Sequence, residues 1–412
     1  MATTFTTIST GLALLTCAAL CGCDDSEFIE EQALAPLHDA SAPPPASVEP
    51  AAGDEPNTAL VTACSAGTYE GNFEVYTPED LEVLADYSKI NGNLYIMTDL
   101  SVINGPDCLE EVTRNFVVTE NAYLKYLKGF NGLQRIGGEL LFDYNSSQTS
   151  SLTVEDFDAL EQIGAMTFHS DVPVSIYWST MANLQSIKGQ LRAYDTDEIL
   201  LGGLHSLVEI GSISFEHTGA IDFSLVALET LHGDLYFNDV EVVHNDGLTA
   251  LAYVGGDMRY TDTWVPMSEW TFFGIEHIAG DLEISSSSDT KYVEGFLVLE
   301  SVGGSIILDG LAASNIEAFD VLTTVGGDLQ IHDNASLSEI IGFSSLTTVS
   351  GSLSISENDA LDELGLDALI AVGEDVDIHD NPSLSTCDVD ALVNQLDVLG
   401  GSAYIADNEA CD

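Results

Sequence analysis

Two of the chain's four arginines, Arg192 and Arg259, fall at positions with the same strand phase as Tyr194 and Tyr236. Arginine and aromatic side chains are the usual anchors of binding interfaces, and aromatic faces also stack on sugars. Earlier in the chain Tyr95, Met97, Val117 and Leu141 take the same phase, apolar where solvent-facing residues are expected. Two readings are open for this face. Either it binds a ligand, or each arginine pairs with a neighbouring acid such as Glu216 or Asp257 while the tyrosines pack laterally. A second group is acidic. Asp375, Asp377 and His379 share one strand face at i, i+2 and i+4, and Asp333, Glu357, Asp380 and Asp407 recur at one turn position. Carboxylates stacked about 5 Å apart repel, so they either fan into solvent or recruit a hard cation such as Ca²⁺. No EF-hand or RTX spacing is present. A third stretch, Trp264 to Phe273 with Trp270 inside it, is too apolar for an ordinary loop. It reads as a binding loop or as a cover over an irregular part of the core.

Catalytic signatures are missing: the sequence has no HExxH, G-x-S-x-G, P-loop or G-x-G-x-x-G. With 68 acids some carboxylate pair at glycosidase spacing is inevitable and carries no weight. The expectation is a protein that is not an enzyme.

What would position these residues is a repeat. An apolar residue, two spacers, a second apolar residue, a glycine-rich step and an L-x-I strand recur along the chain, as in Leu322-Thr-Thr-Val325-Gly-Gly-Asp-Leu329-Gln-Ile331. The first apolar position returns fourteen times from Tyr87 to Leu396, at spacings of 21 to 27 residues. Such a period means a solenoid, each coil burying its apolar face against its neighbours. Within a coil, Leu329 and Ile331 point inward while Asp328, Gln330 and His332 point outward. Gly327 and its counterparts Gly280, Gly304 and Gly351 are expected at positive φ, where the chain turns into the strand. Asn334, with Asn121, Asn358, Asn381 and Asn408 in equivalent places, ends the strand and can bond backbone that the ladder leaves unpaired. Thr77-Pro78-Glu79-Asp80 starts an N-terminal capping helix, and Thr386 to Leu396 a closing one.

The net charge is −59, from 68 Asp and Glu against nine Lys and Arg, with none of the basic residues before Lys89 or after Lys291. Nucleic acid and anionic membrane surfaces are therefore poor partners. Residues 11–20 are an apolar run too short to span a bilayer and suited to a signal-peptide core. Leu20-Cys21-Gly22-Cys23 follows and resembles the lipobox of bacterial lipoproteins, which implies cleavage after Gly22 and lipidation of Cys23. Residues 24–63 hold six of the eleven prolines and no periodicity, the composition of a disordered acidic tether.

After lipidation of Cys23, Cys64, Cys108, Cys387 and Cys411 would remain downstream of the anchor. Fourteen coils rising about 4.8 Å each span roughly 65 Å. A disulfide cannot bridge that length. The expected pairs are thus Cys64 with Cys108 and Cys387 with Cys411, one at each end, where a solenoid needs a cap.

The stretch from Cys64 through Asp80-Leu-Glu-Val-Leu84 to Ile90-Asn-Gly92-Asn-Leu94-Tyr-Ile96 resembles the start of a receptor L domain. Those are the leucine-rich-like, β-helical ligand-binding domains of insulin and epidermal-growth-factor receptors. The similar pattern continues to the C-terminus, although those domains have far fewer coils. The resemblance implies a mainly β, right-handed parallel solenoid of about 14 coils with a ligand-facing sheet, and not a particular hormone. The expected organisation is a signal segment 1–23, a tether 24–63 and a solenoid 64–412, capped at 64–90 and 385–412. The expected role is that of a cell-surface or envelope lipoprotein, outer-membrane anchored or surface-exposed. It would touch the membrane through its lipid alone and bind a protein or polysaccharide ligand. A rigid acidic spacer is the alternative, and a carbohydrate-active enzyme the remote one.

Overall fold

A computed structural model describes residues 67–143, 151–169, 173–176, 180–223, 225–244, 248–263, 272, 274–286, 293 and 295–411. The signal segment, the lipobox cysteine Cys23, the tether, Cys64, Trp264 and Trp270 lie outside them.

Short strands stack in parallel, one coil on the next, to give a mainly β solenoid of about 13 turns. The fourteen pattern copies run from Tyr87, just after the first capping helix, to Leu396, just after the second. Register is exact where the repeat is exact. Leu329 stands beside Leu353, Leu353 beside Val376 and Val376 beside Ala403. Ile331, Ile355, Ile378 and Ile405 form the matching column two residues on. The side-chain period of two sends these columns inward, where Leu329, Ile331, Leu353 and Ile355 are fully buried. Beside the step before the strand, Thr324–Val325, Thr348–Val349 and Ala371–Val372 pair as a second run of the same sheet. On the return path Phe272, Phe296, Phe319 and Phe343 stack in sequence with centroids 5.8, 5.5 and 4.9 Å apart. Each such pair adds about 0.5–1.5 kcal/mol beyond burial.

The asparagines enter the interior. Asn334, Asn358 and Asn381 are buried, and each amide nitrogen donates to a carbonyl of the preceding coil: Leu308, Ile331 and Ile355, all at 3.0 Å. Each side-chain oxygen in turn accepts from the amide of the coil before, as Asn358 Oδ1 does from Asn334 N at 3.1 Å. In central coils Thr196, Thr218 and Thr263 take the place and donate to the carbonyl two residues back, Thr196 also lying 3.5 Å from Phe168 O of the preceding coil.

The glycine expectation is corrected. Gly280, Gly304, Gly327 and Gly351 do not have positive φ; that conformation falls on the residue before each asparagine, including Asp333 at φ 53° and Glu357 at φ 59°. The glycines are needed for close approach. A Cβ on Gly351 would lie 2.1 Å from Asp328 Oδ1 of the preceding coil, and one on Gly280 2.1 Å from Asp257 Oδ1. Those oxygens belong to a second ladder: Asp257 Oδ1 accepts from Asp281 N at 2.9 Å, Asp281 Oδ1 from Ser305 N at 2.7 Å, and Asp328 Oδ1 from Ser352 N at 2.7 Å.

Both caps are helical. Helix α1 (Pro78–Leu84) starts with proline, and Asp80 Oδ2 accepts from Tyr76 N, Thr77 N and the Thr77 hydroxyl at 3.0, 2.9 and 2.9 Å. Helix α2 (Thr386–Gln395) is capped by Ser385, whose hydroxyl accepts from Cys387 N. Cys387 is bonded to Cys411, with Cα atoms 5.5 Å apart. Cys108 is also disulfide-bonded, and its partner lies outside the described residues. Among the described residues no helix is long and apolar enough to cross a membrane.

Candidate functional site

The outward side chains of the sheet form two columns. One runs Tyr95, Val117, Leu141, Thr167, Arg192, Ser214, Tyr236, Arg259, Glu283 in register. The other, two residues on, includes Asp143, His169, Tyr194, Glu216 and Asn238. The structure thus brings Arg192, Tyr236 and Arg259 into one column with Tyr194 beside them. Val117 differs from expectation: at 7% exposure it offers little surface. Tyr95 and Leu141 are half-buried, and Asn93 donates to the Tyr95 hydroxyl at 3.0 Å.

Both arginines have acid partners. Arg192 Nη2 donates to Glu216 Oε1 at 3.1 Å, and its guanidinium carbon lies 4.4 Å from the Tyr194 ring centroid. The other face of this cluster is His169, stacked on Tyr194 at 4.2 Å, with Nδ1 2.8 Å from Asp143 Oδ1. Arg259 Nη2 donates to Asp257 Oδ2 at 2.6 Å, and its Nε is 3.4 Å from Glu283 Oε2. Arg192 and Arg259 keep 37% and 38% side-chain exposure. They are held by carboxylates yet still reachable by a ligand.

Next to this column an open groove of about 750 Å³ is lined by Lys188, Gln190, Ser212, His232, Asp234 and Tyr236, with Arg259 at one end. Lys188, Gln190, Ser212, His232 and Asp234 were not reached by reading the sequence. The available signal was a break in the step column. Asn, Asp or Ser holds that position in most coils, but Glu139, Ala165 and Gln190 hold it in three successive ones.

The acidic residues separate into two structures. Asp375 has a partner of its own in the next coil. It precedes the strand Val376–His379, and its Oδ1 accepts from Ser402 N at 2.7 Å and from the Ser402 hydroxyl at 3.0 Å. Those bonds hold the Asp375 carboxyl below the usual carboxylate range. His379 sits between Asp380 Oδ2 at 2.8 Å and Asp377 Oδ1 at 3.6 Å. Asp333, Glu357, Asp380 and Asp407 do line one groove of about 360 Å³. Among the described residues, however, no three His, Cys, Asp or Glu side chains are placed together to hold a metal ion. His332, two coils from His379, contacts Ser356 Oγ at 2.7 Å; burial pushes its pKa down.

The class defined by this geometry is a parallel β-solenoid presenting a continuous side-chain face. Residues 276–396 match the family described as Receptor L domain. That match points to ligand recognition in general and to no particular ligand.

Proposed function

We propose that this is a non-catalytic recognition protein of the bacterial cell envelope. It is held to a membrane by lipid on Cys23 and binds a protein or glycan ligand through the sheet face around Arg192, Tyr194, Tyr236 and Arg259. The observation that carries the reading is the single column in which Arg192, Tyr236 and Arg259 stand, part-exposed, on a chain whose 295–411 stretch has no Lys or Arg at all. Arginine and tyrosine at adjacent register positions are the side chains that carry binding energy at interfaces. The Receptor L domain match over 276–396 supports recognition as the role.

A second reading has its own observation. Arg192 and Arg259 are each already paired with carboxylates, as they would be in a rigid acidic spacer. The test is retention of envelope components by the immobilised full chain, compared with an Arg192→Ala/Tyr236→Ala double variant of unchanged melting temperature. Loss of a retained component in the variant supports a binding face. Equal retention by both places the ligand elsewhere, and no specific retention supports the spacer.

A further inference from the structure

We infer that the groove bounded by Lys188, Gln190, Asp234 and Tyr236 binds an uncharged oligosaccharide, an inference that rests on the recognition role proposed above. The first ground is where the array departs from its own rule. From Ser212 onward each step side chain accepts the next coil's amide: Ser212 Oγ from Asp234 N at 3.2 Å, then Asp234 Oδ1 from Asp257 N at 2.9 Å. At Gln190 this stops, and the continuous strands Ser186–Leu201 and Glu209–Phe223 pair backbone to backbone instead, Gln190 beside Ser212. Folding does not need the Gln190 amide, and the side chains of Gln190 and Lys188 make no hydrogen bond or ion pair among the described residues.

The second ground is a bare floor. Gly211 lies where a Cβ would be 2.4 Å from the Gly189 carbonyl oxygen, and Gly233 where one would be 2.3 Å from Ser212 Oγ. No side chain fits at either, so the groove stays open along successive coils. Its volume of about 750 Å³ falls within the ~300–1,000 Å³ of small-ligand sites. Lys188 and Tyr236 lie two coils apart, about 10 Å at the strand spacing, so the occupant is longer than one sugar ring.

The third ground is chemical. The walls offer donors and acceptors together: the Gln190 amide, the Ser212 hydroxyl, the Asp234 carboxylate and the Lys188 ammonium. Half-buried Tyr236 supplies an aromatic surface, its hydroxyl oriented by Asn238 Nδ2 at 2.9 Å. A sugar presents the complementary surface, with hydroxyls at its rim and C–H bonds on its face. Charge excludes the alternatives. The net −59 repels polyanions over the whole molecule. Locally the Lys188 ammonium is balanced by Asp234 and Arg259 by Asp257 and Glu283, so the groove is close to neutral and gives a charged peptide no net attraction of its own.

The experiment is a glycan array probed with the full chain, carrying neutral and acidic oligosaccharides beside acidic peptides, with hits titrated calorimetrically. Binding to neutral oligosaccharides is expected, weakened about tenfold or more by Tyr236→Ala and by Gln190→Ala. Exposed Lys188→Ala, which touches no fold contact, keeps the test valid if Tyr236→Ala fails to fold; it is expected to weaken binding as well. An array with no neutral-glycan signal overturns the inference, as does preference for acidic glycans or peptides, or binding that survives Gln190→Ala and Lys188→Ala. If envelope components are retained through the Arg192 face while the array stays blank, the recognition reading stands and this inference falls. Blank results in both remove the two together.

Discussion

Asp328 Oδ1 lies 2.7 Å from the amide nitrogen of Ser352 and 2.1 Å from the point where Gly351 would carry a Cβ. One oxygen therefore explains two features of the repeat, the acid or serine at the step and the glycine in the next coil. Gly351→Ala should expel the carboxylate and break the bond, at a cost of about 1–3 kcal/mol for an orphaned amide and local strain. Asp328→Ala removes the nearest obstruction and leaves the Gly327 carbonyl at 2.9 Å, so the double variant should be less destabilised than the two single losses added. A double-mutant cycle in urea checks this. Additive losses would mean that the contact does not set the glycine.

The asparagine ladder should be less forgiving. Asn358 is fully buried, and its amide nitrogen donates to Ile331 O and Ser356 O while its oxygen accepts from Asn334 N. Asn358→Ala leaves those groups without partners or water, and a loss of about 2–4 kcal/mol is expected from several orphaned bonds. Asn408→Ala, at the end of the ladder and only half-buried, should lose clearly less. Thermal melts of the two variants decide the matter, and equal losses would count against the ladder.

Much of this was legible in the sequence because the solenoid repeats its physics. Leu329 and Ile331, with their counterparts one coil on, announced strand, face and register, and Thr77-Pro78 announced a helix start. The glycines misled because Gly327 and Gly351 suggest a turn when read alone; their partner, Asp328 or Ser305, is one coil away in space. Long-range contact of that kind has no local signature. The partner of Asp375 was hidden for the same reason, since Ser402 claims its carboxylate from the next coil. The groove escaped notice because a missing side-chain bond at Gln190 is visible only once the ladder around it is known.

The Cys387–Cys411 bond closes a loop with a sequence separation of 24 residues, and in the chain-entropy account such a bond contributes about 3 kcal/mol. In a solenoid that loss should stay local. Cys387→Ser/Cys411→Ser is expected to raise hydrogen exchange in α2 and in the strand Ala403–Ala406, while Leu329–His332 keeps its protection. Uniform loss of protection along the chain would show that the coils unfold as one unit.

Acid should act at three sites. Asp80 is held below the usual carboxylate range by the Tyr76 amide, then by the Thr77 hydroxyl and amide, and Asp375 by the Ser402 amide and hydroxyl. With folded pKa values below the unfolded ~3.9, each contributes fully above that pH and loses its contribution as pH falls through the folded value. His332, facing Asp309, His379, Glu357 and Asp377, has a pKa lowered by burial. The unfolded ring therefore binds its proton first, and stability declines as pH falls from about 6.5 towards the folded value. Melting temperature against pH should show both limbs. His332→Gln is expected to flatten the first and Asp375→Asn the second, and an unchanged profile in either variant would refute its assignment.

Calcium gives the sharpest test of the acidic column. Asp333, Glu357, Asp380 and Asp407 line one groove, yet no three of the described acidic or histidine side chains converge as metal ligands. A specific site would stabilise the fold by mass action, rising with the logarithm of free Ca²⁺. Screening of a net charge of −59 would instead stabilise it with ionic strength, whatever the divalent cation. The geometry predicts the second behaviour: Ca²⁺ and Mg²⁺ at matched ionic strength should raise the melting temperature equally, and Asp380→Asn should leave the response unchanged. A melting temperature that climbs with Ca²⁺ alone, and stops climbing in Asp380→Asn, would show that these carboxylates rearrange into a true binding site.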